Sequence, residues 1–280
     1  MTRGDNMITQ KLTTRKMAGF TVIELLIAVL LAGLITSAAM ALYLTQRKQL
    51  FVQEEVTDMQ SSIRAAMGEL STKIRMVGYK LPEGMQSVIA RDTNPDTIKI
   101  MTNYDFQEDI QIEHSMPQPS SELRCDGHDL TGIYDGDTLF IFDPYINSGE
   151  YFIVSHVQYS SSNIQHNTSP LSRRYPQGSK VVKVQSTTYY VDRTDPNHPN
   201  LMYQYQRSPA QIYAENITDL NFQYVLSDGS IVDVPAITSM IREVVISVTA
   251  RTNKPDDEFQ TAYRNRTLTT RVKVRNLGAN

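Results

Sequence analysis

An unbroken apolar run near the start of the chain constrains it more than anything else. From residue 20 to 44 the sequence reads FTVIELLIAVLLAGLITSAAMALYL, twenty-five residues whose only charge is Glu24. About twenty such residues suffice to cross a bilayer as a helix. Ahead of the run stand Arg3, Lys11, Arg15 and Lys16, opposed only by Asp5. That bias keeps the N-terminus cytoplasmic and sends the C-terminal bulk across, while Arg47 and Lys48 pull weakly the other way. A secretory signal has a shorter apolar core ending in small residues; Ala38, Ala39 and Ala41 imitate such a site, but the run is too long for that reading.

The order of parts is distinctive. A polar leader ends in Met17-Ala18-Gly19, the apolar run begins abruptly at Phe20, and a carboxylate follows at Glu24. An ionised carboxylate inside a membrane helix costs roughly 2.5 to 3.5 kcal/mol on insertion scales and ordinarily has a partner and a task. The alternative is that Glu24, four residues past Phe20, lies at headgroup depth and is hydrated. The string Gly19-Phe20-Thr21-Val22-Ile23-Glu24-Leu25-Leu26 resembles the class III leader motif of type IV pilins, pseudopilins and their archaeal relatives. The resemblance implies that a prepilin peptidase, a membrane aspartyl protease, cuts between Gly19 and Phe20 and methylates the new amine of Phe20. It also implies that Glu24 pairs with the Phe20 amine of a neighbouring subunit during assembly. A glycine before the scissile bond suits that role, because a backbone without a side chain lies close to a protease. The chain's formal charge is -3 and the leader, residues 1–19, carries four positive charges and one negative, so the mature chain would carry -6.

Beyond residue 44 the helical pattern continues. Val52, Val56, Met59, Ile63, Ala66, Leu70, Ile74 and Val77 recur at spacings of three and four, with Gln53, Glu54, Asp58, Gln60, Arg64 and Lys73 on other faces. No proline interrupts residues 20–77, and Gly78 followed by Pro82 supplies the stop. At ~1.5 Å per residue such a helix is roughly 87 Å long. Its first half, residues 20–45, is read as a transmembrane or filament-core segment, and its second, 46–78, as an amphipathic helix lying on a globular domain. A single-pass anchor with a juxtamembrane coiled coil is the plainer alternative. Gly33 either permits local melting or close helix approach.

From about residue 81 the period changes to two. Strands are expected at 97–102, 137–142, 151–159, 180–185, 187–191, 201–206, 217–226, 243–250 and 268–274, separated by Pro-, Asp- and Gly-bearing turns. The clearest pair is Val244, Ile246, Val248 and Ala250 against Leu268, Thr270, Val272 and Val274. A sheet packed on the amphipathic half-helix makes residues 79–280 a β-rich domain and the whole an α+β, pilin-like fold. Within it, the helix end Lys73-Ile74-Arg75-Met76-Val77-Gly78-Tyr79 and the closing segment Arg271-Val272-Lys273-Val274-Arg275-Asn276 are similar to the PilW group of minor pilins, related to the J-type pseudopilins of type II secretion. Residues 92–177 match neither.

The chain carries 27 Lys and Arg against 30 Asp and Glu, no basic excess of the kind nucleic-acid binding requires. No dinucleotide-binding, nucleophile-elbow or zinc-protease motif occurs; Gly127 and Gly132 have P-loop spacing, but Ile133 stands where lysine is needed. Cys125, the single cysteine, lies near Asp126 and His128 as a conceivable dyad, read as incidental. Asp126, Asp129, Asp135 and Asp137, and Asp256, Asp257 and Glu258, are oxygen-rich enough for a calcium check, but neither has EF-hand spacing, and turn chemistry is the favoured reading.

The expectation is therefore a non-enzymatic subunit without cofactor or metal. It would wait in a bacterial inner membrane with its C-terminal domain in the periplasm, then enter a pilus, with the initiation or tip complex as the implied place. Its partners would be the peptidase, other major and minor pilins and the inner-membrane assembly platform. A type II secretion pseudopilin is the close alternative, and a membrane-anchored periplasmic binding or hydrolytic domain the distant one.

Overall fold

The computed structural model describes residues 19–82, 85–103, 110–166, 170–256 and 263–277. The leader before Gly19 lies outside them, as do Asp257 and Glu258. One long helix, α1, runs Val22–Met76 over 55 residues. Its residues belong to two compact units, one ending at Gln53 and the other beginning at Glu54.

In the first unit every residue from Phe20 to Phe51 is exposed, and the helix is long and apolar enough to span a membrane. Three of its hydroxyls bond back to the helix's own carbonyls. Thr36 donates to the Ala32 carbonyl at 2.7 Å, Ser37 to that of Leu34 at 2.9 Å and Thr45 to that of Ala41 at 3.0 Å. Each bond removes a polar group that an apolar surround would leave unpaired. The helix passes through Gly33 without interruption.

In the second unit α1 buries Met59, Ile63, Ala66, Met67, Leu70 and Ile74, the expected stripe with Met67 added. Val56 is only half-buried, as is Val52 in the first unit, and Lys73, expected on the outside, is half-buried beside Glu69 at 4.0 Å. After α1 come β1 (Val88–Arg91) and β2 (Thr97–Thr102). The chain then leaves this sheet for β3 (Ile110–Gln111), β4 (Leu123–Arg124), β5 (Thr138–Asp143), β6 (Ser148–Ile153), β7 (His156–Gln158), β8 (Asn163–Gln165) and β9 (Lys180–Lys183). It returns as β10 (Gln185–Asp192), which pairs directly with β2, followed by β11 (Asn200–Tyr205) and β12 (Gln211–Glu215). The five-stranded order is β1-β2-β10-β11-β12.

A second antiparallel sheet follows from β13 (Ile217–Leu226), β14 (Ile231–Val232), β15 (Ile241–Arg251) and β16 (Asn265–Lys273), in the order β14-β13-β15-β16. The expected hairpin forms with Val244 opposite Val272, Ile246 opposite Thr270 and Val248 opposite Leu268. Period-two alternation dictates this register: Val244, Ile246, Val248 and Ala250 all turn into the core with Ile63, Leu70 and Ile74 of α1.

Gly78 ends the helix at φ +73°, a left-handed conformation that costs glycine nothing. The last carbonyls find their donor far along the chain. Asn276 Nδ2 bonds the Val77 oxygen at 3.2 Å and that of Arg75 at 3.4 Å. Residues 73–79 and 271–276 thus meet in space.

The segment between β2 and β10 is a lobe with its own core, including Ile112, Leu123, Ile133, Leu139, Phe152, Ile164 and Tyr175. It holds two small sheets, β3-β9-β5-β6 and β4-β8-β7. Met85, Met101, Phe140, Phe142 and Val184 form a third cluster that joins it to the first sheet, and the Tyr151 hydroxyl reaches the Met101 sulfur at 2.7 Å. Here two strand expectations need correction. The single strand expected over 151–159 is divided between β6 and β7, in different sheets, because Val154 bonds Asp137 while Ser155 bonds Gln165. The strand expected over 180–185 breaks at Val184, where the chain leaves the lobe for the main sheet.

Candidate processing and assembly site

Gly19 and Phe20 precede the helix in non-helical backbone, and Phe20 is 89 % exposed. A β-carbon added to Gly19 would meet no atom within 4 Å, and its φ is not in the left-handed range. Among the described residues nothing asks for glycine there. By contrast Gly78, whose φ is positive and whose surroundings are crowded, is explained by the fold alone.

Glu24 sits one turn into the helix in a reciprocal bond with Thr21. The Thr21 amide donates to Glu24 Oε2 at 2.9 Å and the Thr21 hydroxyl to the same oxygen at 2.8 Å. The Glu24 amide donates back to Thr21 Oγ1 at 3.3 Å. This is a capping box: Thr21 precedes the first helical residue, Val22, and Glu24 is the third inside it. The sequence carried the signal as Thr-x-x-Glu before an apolar run, and the reading of Glu24 as an assembly group passed over it. All three contacts use Oε2 or the hydroxyl. Oε1, on an exposed side chain, takes no part in this box and is a second acceptor.

The other candidates lie in the lobe, and the structure separates them. Cys125 is fully buried, and burial, with the Asp126 and Glu113 charges behind it, pushes its thiol up to about 12. Thiolate chemistry needs the opposite shift. The dyad does not form: the His128 ring bonds Glu113 Oε1 at 3.0 Å. The four aspartates weighed for calcium have other partners. Asp126 meets His114 and Arg124, Asp129 bonds Thr131, Asp135 bonds His156 and the Val157 amide, and Asp137 pairs with Lys183 at 2.8 Å. Asp256 is paired with Arg264 at 2.8 Å. No group of three or more His, Cys, Asp or Glu side chains is placed to share a metal ion among the described residues. Four histidines, scattered in sequence, each find one carboxylate: His114 with Asp126, His128 with Glu113, His156 with Asp135 and His198 with Asp195.

No known protein-family model matches this chain, and no curated protein matches it.

Proposed function

We propose that this chain is a minor pilin-type subunit, cut between Gly19 and Phe20, held in the inner membrane by its apolar helix and then built into a pilus. The observation that carries the reading is the coincidence of three boundaries. The Gly19-Phe20 junction, the capping box at Thr21 and Glu24 and the start of a wholly exposed apolar helix fall within six residues. A helix with this surface is stable in lipid, or among copies of similar helices, and not in water. A cut after residue 19 would place a charged amine on Phe20, next to Thr21 of the capping box and four residues before Glu24.

The same chemistry serves a type II secretion pseudopilus, which is the alternative reading within this class. The prepilin peptidase, other pilins and the assembly platform are the partners that go with this proposal, and Phe20 would carry the N-methyl group. Sequencing the N-terminus of protein purified from membranes tests it: the expected first residue is N-methyl-Phe20. A mature chain that keeps Met1, or begins among Ala38, Ala39 and Ala41, overturns it.

A further inference from the structure

Beside the second half of α1, the first sheet changes character along its strands. On the face shared with the core, Val191, Leu201 and Ala214 are buried side by side. One step along lie Tyr189, Tyr203 and Gln211, and one further Thr187 and Tyr205. A register shift beside Leu201 brings both Gln211 and Ala214 opposite this row. Glu69 and Lys73 of α1 form the other wall, and Ser208 and Pro209 close the end of a cleft of about 340 Å³, within the usual range for small-molecule sites.

Its polar groups are set in advance. The Tyr189 hydroxyl donates to Glu69 Oε1 at 2.6 Å, leaving Oε2 as the further acceptor. The Tyr203 hydroxyl donates to Gln211 Oε1 at 2.6 Å, which orients the amide so that its NH2 remains a donor. Tyr213 stands edge-on to Tyr203 at 85° with centroids 6.0 Å apart, stiffening that wall. The two charges in the lining, Glu69 and Lys73, are 4.0 Å apart and cancel.

That composition selects a ligand class. A cation would meet Lys73 and an anion Glu69, while a wholly apolar molecule would strip water from both without replacing it. What fits is an uncharged molecule with an apolar face to lie against tyrosine rings and a rim of hydroxyls that both donate and accept. We infer that this cleft binds a neutral pyranose unit of a glycan, through Tyr203 and Tyr205 beneath the ring and Glu69, Lys73 and Gln211 at its hydroxyls. The site is remote in sequence from the Gly19-Phe20 junction and does not depend on the pilin reading.

The test is saturation-transfer NMR on the full-length protein in phospholipid nanodiscs, which avoid sugar-headed detergents. The probes are the methyl glycosides of glucose, galactose, mannose and N-acetylglucosamine, with acetate and methylammonium as charged controls. At least one glycoside should bind, with its ring C–H protons receiving the most saturation. Tyr205→Ala, at a position 41 % exposed, should weaken it at least tenfold, as should Glu69→Gln. Ser208→Trp, on an exposed turn away from the core, should block the cleft and abolish binding with an unchanged melting temperature. The inference is overturned if none of the four glycosides binds, if binding survives both Tyr205→Ala and Ser208→Trp, or if either charged control binds more tightly than every sugar.

Discussion

Leu277 closes over Gly78: its Cδ2 lies 2.7 Å from where a β-carbon on Gly78 would stand, and the Asn276 carbonyl oxygen lies 3.2 Å from the same point. The end of the helix and the last described residues of the chain are one packing unit, bridged by Asn276 to the Val77 and Arg75 carbonyls. Gly78→Ala therefore meets a positive φ and a steric conflict together. It should cost about 2 kcal/mol or more, and Asn276→Ala about 1 kcal/mol for the lost cap. Denaturant midpoints measure both. An unchanged midpoint for Gly78→Ala would mean that the helix does not end against the C-terminal segment.

Ile63 and Leu70 are 2 % and 0 % exposed against the sheets. Ile63→Ala and Leu70→Ala should each destabilise the domain by about 2 to 5 kcal/mol, whereas Arg64→Ala, on the exposed face, should stay within about 0.5 kcal/mol. Lys73 is not a suitable surface control, because its side chain is half-buried beside Glu69. A juxtamembrane coiled coil would lose self-association on the same two changes while the domain's midpoint stayed put, and that result would rule out the packing described above.

At Gly19 the proposed processing can be separated from folding. With no atom within 4 Å of an added β-carbon, Gly19→Leu should leave folding and membrane insertion intact and stop maturation, because only a protease subsite would feel the side chain. The readout is mass. Protein recovered at the mature mass from the Gly19→Leu strain would remove the assignment of the cut.

Thr21 and Glu24 allow two roles to be told apart. If Glu24 serves only as a cap, Thr21→Val and Glu24→Val should reduce subunit recovery in sheared filaments alike. If Oε1 receives a neighbour's amine, Glu24→Val should still insert and be cut yet fall out of the filament. Thr21→Val, which keeps the carboxylate, should then be recovered at near wild-type stoichiometry. Equal recovery of Glu24→Val and wild type would leave Glu24 without an assembly role.

The hydrogen bond from His156, together with that from the Val157 amide, holds Asp135 below the ordinary carboxylate range. A depressed acid stabilises the fold above its ordinary pKa and loses that contribution as pH falls through the folded value. Asp135→Asn should therefore flatten the decline in midpoint between about pH 5 and pH 2, and His156→Ala should do so to a similar degree. A slope identical to wild type in both variants would show that this pair carries none of the acid sensitivity.

The sequence alone determined the elements whose period is local. The long helix, its stop at Gly78 and the β15–β16 pairing each follow from apolar side chains recurring at 3.6 or 2 along one segment, and from a glycine that can take positive φ. Glu24's cap was equally local and legible as Thr-x-x-Glu. What no local pattern contained was the adjacency of β2 and β10 across the lobe. Strand pairing between segments some eighty residues apart is decided by which surfaces bury each other, not by either segment's own alternation. For the same reason β3, β4 and β8, of two or three residues each, were not expected: they are held by partners distant in sequence and by the shared core of Leu123, Phe152 and Ile164. The tyrosine cleft, too, exists only because α1 and β10–β12 come together, with Glu69 meeting Tyr189 120 residues away. Side-chain period writes a segment's conformation into the sequence; the pairing of surfaces is settled only when the whole chain has buried what it can.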